Sequence, residues 1–417
     1  MNTKTLAAGT VVMAAVSSLY GQASSMDSPS TPAWLSKTFG ETLPKALTDG
    51  KFSLNARLRY EHADQVGLKA ADAFTVRTRF GFTTAPVNGF QAMIEGENTR
   101  VIGPRVNYND TQGNNIGHTV VADPELTEIN RAWVGYSNWD TTLKAGRQRI
   151  IHDGARFLGN VGWRQAEQTF DAVSLVNKSV ENLTVNYSYL FNVKRIDSSN
   201  RDTDTHAINL SYTGLPIGKL TAYAYLIEFP NGPVAVRNQS SHTYGVSLTG
   251  SRPLSDDFKL SYLAEAAIQS EGRESALNYQ AEYYHLTLGG AFKQFSLEAG
   301  YEVLGTDNNV GFYTPLATLA KWNGWADAFL LATPGTGLRD AYLSGTVKLP
   351  FGMPLNVTYH HYSADIGGSD LGEELNVTLT KKLNSNFSVL ARYAWFNSST
   401  AARPDRDKFW AQVDFNF

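Results

Sequence analysis

The chain ends in ten residues that alternate without a slip. Phe409, Ala411, Val413, Phe415 and Phe417 fall on one side, and Lys408, Trp410, Gln412, Asp414 and Asn416 on the other. A period of two marks a β-strand with one apolar and one polar face. The same rhythm opens the patterned region, where Phe52, Leu54, Ala56, Leu58 and Tyr60 oppose Ser53, Asn55, Arg57, Arg59 and Glu61. Similar segments recur at 74–82, 90–101, 128–139, 142–149, 170–178, 183–192, 206–213 and 219–229. They continue at 242–252, 258–269, 279–292, 295–304, 340–349, 355–364, 373–383 and 387–397. That makes about 18 strands of roughly 9–12 residues, the length a tilted strand needs to cross a bilayer.

The connections alternate as well. Those at 86–89, 138–140, 179–182, 214–218, 253–257, 293–294, 352–354 and 384–386 are tight, and Pro86 to Gly89 carries a clear turn signal. Longer polar segments fill 102–125, 150–169, 193–205, 230–241 and 305–339. Short turns on one side and long loops on the other predict an all-β protein, a single transmembrane antiparallel barrel with its termini on the short-turn, periplasmic side. A soluble sandwich or solenoid predicts no such alternation, and no fixed repeat of 20–50 residues is present.

The amino terminus fits export. Lys4, the apolar stretch 6–16 and the small residues Gly21 and Ala23 compose a cleavable signal peptide over 1–23. Residues 24–50, Ser- and Pro-rich and then weakly helical over 34–47, read as a periplasmic extension before a barrel spanning 51–417. The chain has no cysteine and no uninterrupted apolar run of about 18 residues. Its stability is therefore expected from a hydrogen-bonded framework rather than from disulfides. Aromatic residues make up 12% of the chain and mean hydropathy is −0.27, which suits strands apolar on alternate positions only. These features place the protein in a Gram-negative-type cell outer membrane, with lipid and lipopolysaccharide as surroundings. Phe417 is the expected signal for the barrel-insertion machinery. A net charge of −3 offers no basic excess for nucleic acid.

Function is then expected on inward faces and on any loop folded between them, because a barrel of this size is too wide for its side chains to fill. Arg57, Arg59, Arg77 and Arg79 point inward if the apolar sets face lipid; Glu95 and Glu97 follow, and Arg131 and Lys144 continue the wall. Such a row either stiffens the wall by cross-strand pairing or sets a transverse field that ions feel. The segment 146–171 carries Arg147, Arg149, Arg156 and Arg164 against Asp153, Glu167 and Asp171. It is expected to fold inward and narrow the pore with Arg156 and Arg164, the alternative being a loop on the rim. In 305–339, Trp322, Trp325 and Phe329 suit stacking on sugar faces, folding of the loop on itself, or the membrane interface.

Several runs are similar to the alginate export family of outer-membrane porins: LRYEH at 58–62, GRQ at 146–148 and RFLGNVGWRQAEQTFDAVSL at 156–175. NGWADAFL at 323–330 and GLRD at 337–340 add to the match. The resemblance implies an 18-stranded barrel with an arginine-rich lumen, and a lumenal role for Arg147, Arg156 and Arg164. This chain departs in being shorter than the alginate exporter and in setting many carboxylates against those arginines. The expectation is a porin for passive diffusion of small hydrophilic or anionic solutes, acidic saccharides such as uronates among them. The competing classes are a barrel enzyme hydrolysing lipid or saccharide, and a structural or adhesive barrel. No nucleophile motif surrounds His360, and Asp202, Asp204 and His206 read as solvated loop polarity. No enzyme activity, metal or cofactor is expected.

Overall fold

The computed structural model describes residues 42–103, 107–330 and 333–417, so the expected signal peptide and the extension up to residue 41 lie outside it. A helix, α1 (Thr42–Thr48), belongs with residues 84–87 to a small unit of its own. The larger unit begins with β1 (Lys51–Gln65), β2 (Ala71–Thr83), β3 (Phe90–Val101), β4 (Leu126–Asn138) and β5 (Thr141–Gln148). It continues through β6 (Thr169–Asn177), β7 (Leu183–Lys194), β8 (Asn200–Leu215), β9 (Gly218–Ile227) and β10 (Ser241–Pro253). Then come β11 (Phe258–Glu271), β12 (Gln280–Phe292), β13 (Phe295–Leu304) and a two-residue ladder of β14 (Thr306–Asp307) with β15 (Val310–Gly311). The last are β16 (Leu338–Leu349), β17 (Met353–Ser363), β18 (Asp370–Lys382), β19 (Phe387–Asn397) and β20 (Arg406–Asn416).

All but β14 and β15 form one 18-stranded antiparallel sheet in which each strand pairs with its sequence neighbours. β20 pairs with β1, and Leu54 and Phe417 exchange both backbone hydrogen bonds at 3.0 and 2.8 Å. The sheet is therefore closed, and it leaves no edge strand to aggregate. The closing register sets Arg57 against Asp414, Arg59 against Gln412 and Leu58 against Val413.

Alternation decides which side chains face out. Phe80, Ile94, Val134, Leu288, Leu297 and Leu343 are exposed on the outer face, while their chain neighbours Arg79, Glu95 and Gly289 turn inward and are buried. Aromatics gather at both ends of this apolar belt. Phe52 packs with Phe80 and Phe82, and Phe387 with Phe415, toward the short-turn end. Toward the other end the Tyr60, Tyr284, Tyr359 and Tyr393 hydroxyls donate to Asp72, Glu282, Glu373 and Asp407 at 2.5–2.6 Å. Rings with an apolar body and a polar tip suit the two membrane interfaces.

One expected long loop is mostly strand. Over 193–205 the ladder of β7 with β8 runs out to Lys194 and Asn200, leaving a connection of five residues, 195–199. Polar composition there reflects strands that extend beyond the apolar belt.

Replacing Leu288 by Arg should therefore cost roughly 2–4 kcal/mol in urea unfolding from lipid vesicles. Arg in place of the adjacent, inward-facing Thr287 should change stability by less than about 1 kcal/mol and instead lower conductance.

Candidate functional site

The inward faces carry charge in arcs. Arg57 and Arg59 on β1, Arg77 and Arg79 on β2, Arg131 on β4 and Lys144 on β5 compose a basic arc, continued past the closure by Lys408 on β20 and Arg392 on β19. Glu95 and Glu97 on β3 interrupt it. The opposite wall is acidic, with Glu265 on β11, Glu298 and Glu302 on β13, Asp340 on β16 and Glu374 on β18. Two long connections lie between these walls: residues 149–168, which join β5 to β6, and residues 305–337, which join β13 to β16.

The first connection is held by the basic arc. Arg57 donates to the carbonyls of Gly162, Trp163 and Arg164, and Arg59 to that of Trp163 at 2.6 Å. Arg77 and Arg79 both donate to the carbonyl of Gln165 at 3.2 Å. These wall arginines are also tied sideways, Arg57 to Asp414 at 2.8 Å, Arg59 to Gln412, Arg77 to Asn55 and Arg79 to Glu97. Arg131 binds both oxygens of Glu95, and a bulge opposite Glu95 lets the preceding Asn130 reach the same carboxylate. In return the loop sends Arg164 to Glu61 at 3.0 Å and Glu167 to Arg79 at 3.4 Å and Asn130 at 2.8 Å, while Arg149 pairs with Glu167 within the loop. Burial pushes the Glu167 carboxyl up, but Arg79, Arg149 and Asn130 outweigh it and hold the group at about 2.

The second connection is held by the acidic arc. Asn323 donates to Glu302 at 2.7 Å and to Asp340 at 3.2 Å, and the amides of Trp325 and Ala326 both point at Glu374. Gly324, at φ +83°, makes that approach possible, since a Cβ there would overlap the Glu374 carboxylate. Asp327 crosses to the basic side and meets Lys408 at 2.6 Å and Arg164 at 3.2 Å. The two connections also lock to each other. The Gly159 amide donates to Leu316, the Thr318 amide to Ala155, and Arg156 bridges to Glu302 at 2.7 Å and Asn323 at 3.0 Å. Gly159 has no room for a side chain, because a Cβ would sit 2.3 Å from the Thr318 hydroxyl oxygen.

An alginate export family model matches residues 49–304, well over half of the chain and including the whole first connection. The chain belongs to the alginate export family. Solved outer-membrane proteins share its fold at low identity. OccAB2 of Acinetobacter baumannii is 15% identical, covers 89% of this chain and 99% of its own, and superposes with a TM-score of 0.70. OpdK of Pseudomonas aeruginosa, solved with vanillate, is 14% identical with the same coverages and a TM-score of 0.68. OccD3 (OpdP) of Pseudomonas aeruginosa is 15% identical over 88% of this chain and 91% of its own, with a TM-score of 0.66. A comparison with curated proteins finds no match.

The structure moves several expected residues of this family member. Arg59, Arg77, Arg79, Arg156 and Arg164 are buried, and each is engaged by carbonyl or carboxylate groups, so they act first as fasteners of the two connections. Lys144 lies inward over the Trp133 ring at 4.2 Å. Arg147 is a correction: it shares the outer face with Leu143 and Ala145, and binds Asp171 through two bonds of 2.8 and 2.9 Å. The period of two, carried one residue further along β5, turns it away from the lumen. Trp322 and Trp325 lie inside the barrel, with Trp322 5.2 Å from Arg156 and Trp325 3.7 Å from Arg392. The residues that receive the second connection, Glu302, Asp340, Glu374 and Arg392, stand on the polar parity of their strands. That parity is the signal that would have found them.

Below the interlock is a cavity of about 890 Å³, lined by Tyr223, Tyr225, Glu265, Glu298, Lys321 and Arg392 among others. The crevice between the segments beside Arg156 and Asn323 holds only about 20 Å³, little more than a water.

Two outcomes follow for the interlock. Arg164 also lies 3.9 Å from the buried Asp123, so Arg164→Ala leaves Glu61, Asp123 and Asp327 without their shared cation, a loss on the order of 3–5 kcal/mol. Single-channel recordings should then show larger, noisier openings, and an unaltered trace would sink the fastening role. Because the folded pKa of Glu167 lies below the unfolded value of ~4.3, its contribution is whole above that value and is lost as pH falls through about 2. Glu167 should therefore hold the first connection equally at pH 5 and pH 7, and loosening caused by its protonation, read as channel noise, should appear only in stronger acid.

Proposed function

We propose that the protein is an outer-membrane channel for passive diffusion of small hydrophilic anions, with acidic saccharides such as uronates the class its lumen suits best. The observation that carries this reading is the cavity of about 890 Å³, whose lining sets Arg392, Lys321 and Lys219 among the carboxylates Glu265, Glu298 and Glu302. Its size falls within the roughly 300–1,000 Å³ of small-molecule sites. Two connections seated and locked together inside the barrel favour small solutes over a threaded polymer.

The cations and carboxylates of this lining ask for different things of one solute. Arg392 and Lys321 offer N–H donors to a carboxylate, whereas Glu265 and Glu298 accept hydrogen bonds from hydroxyl groups. A sugar acid carries both functions on one ring, and a simple inorganic anion only the first. The vanillate in the OpdK structure is likewise a small carboxylate.

Reversal potentials in planar bilayers should show anion preference, with KCl conductance reduced by millimolar galacturonate and unaffected by galactose. Cation selectivity without galacturonate block would overturn the solute class and leave a channel. A purified barrel that carries no current and swells no liposomes would overturn the channel.

A further inference from the structure

Arg392 differs from the other arginines of the lumen. Its guanidinium carbon lies 4.0 Å from the Trp163 ring centroid and 3.7 Å from that of Trp325. One face of a guanidinium has no room for two indoles, so the group is sandwiched between them. Trp163 comes from the first connection and Trp325 from the second, and Arg59 packs on Trp163 as well at 4.2 Å. A column of alternating cations and indoles therefore passes through the joint between the two segments.

Stacking occupies the faces of the Arg392 fork but not its edge. Nε donates to the Thr378 hydroxyl at 3.2 Å. Neither terminal nitrogen has a hydrogen-bond partner among the described residues, and no carboxylate there comes within ion-pair distance. By contrast, Arg57 and Arg156 each end on a carboxylate at 2.7–2.8 Å. Arg392, Trp163 and Trp325 all line the cavity of about 890 Å³, so the free edge faces the space a solute occupies.

We infer that Arg392, clamped between Trp163 and Trp325, is the specificity-determining residue that receives the single carboxylate of a uronate-type solute. A planar fork makes two parallel bonds to a carboxylate, which a lysine ammonium does not. The indoles hold the fork in one plane before the solute arrives, so little is lost in ordering it. Their rims flank the bound group and offer apolar edge to the C–H face of a sugar ring. The inference rests on the channel reading above, and refines it by naming the group that selects.

The test compares native protein, Arg392→Gln and Arg392→Lys in planar bilayers, with galacturonate as blocker and galactose as neutral control. In Arg392→Gln the half-blocking galacturonate concentration should rise roughly tenfold or more, the block in each channel being read against that channel's own current in galactose. Arg392→Lys keeps the charge but not the fork and should recover only a minor part of the loss. Equal half-blocking concentrations in native and Arg392→Gln channels overturn the inference while the channel reading stands. Native channels that conduct KCl but ignore galacturonate overturn the inference and the uronate class together. Where Arg392→Gln fails to insert, Arg392→Lys decides alone, and native-like block by it overturns the inference.

Discussion

A closed sheet of 18 strands encloses more volume than its inward side chains fill, so what narrows it must be chain brought in from the connections. Here that chain is irregular backbone, rich in carbonyls and amides that need partners once out of bulk water. The partners are the charges of the wall. Arg57, Arg59, Arg77 and Arg79 take the carbonyls of 162–165, and Glu374 takes the amides of Trp325 and Ala326. Basic wall meets loop acceptor and acidic wall meets loop donor. The sorting of charge into two arcs is thus first a device for seating two segments of opposite hydrogen-bonding need.

The interlock follows from the same electrostatics. Arg164 and Asp327 belong to different connections and would each be costly to bury alone. Together with Glu61 and Lys408 they neutralise one another across the joint. Arg156, with Glu302 and Asn323, repeats the arrangement on the acidic side. Most of the charge in the lumen is spent in this way, which gives an unspent group its significance. The transverse field felt by a passing solute is what remains after the fastening is complete, and Arg392 is the clearest remainder.

Alternation made the wall legible from the chain. The inward placement of Arg57, Arg59, Arg77, Arg79, Glu95 and Glu97 follows from a period of two, and the pairing of the last strand with the first from closure of the barrel. Arg147 shows parity overriding motif, since it shares the outward face of Leu143 and Ala145. Residues 193–205 are polar without being a long loop, because strands that rise above the lipid lose their apolar half and keep their ladder. The roles of Arg156, Arg164, Trp322 and Trp325 were not legible in detail, since irregular segments carry no period from which direction can be read.

The sequence by itself determined the strands, their faces and their closure, because side-chain direction in a strand depends only on position parity and lipid demands apolar residues on one parity. It also determined that arginines and carboxylates share the inner wall. Only the tertiary structure decided which charges meet. Glu61 with Arg164, Glu302 with Arg156 and Asp327 with Lys408 are separated by 81 to 146 residues of chain. Their pairing depends on how two irregular segments pack against each other at depth. The same packing places Trp163 and Trp325 on either side of Arg392 and leaves its edge open. Local periodicity carries no information about such contacts, which arise because burial penalises a charge that has no partner.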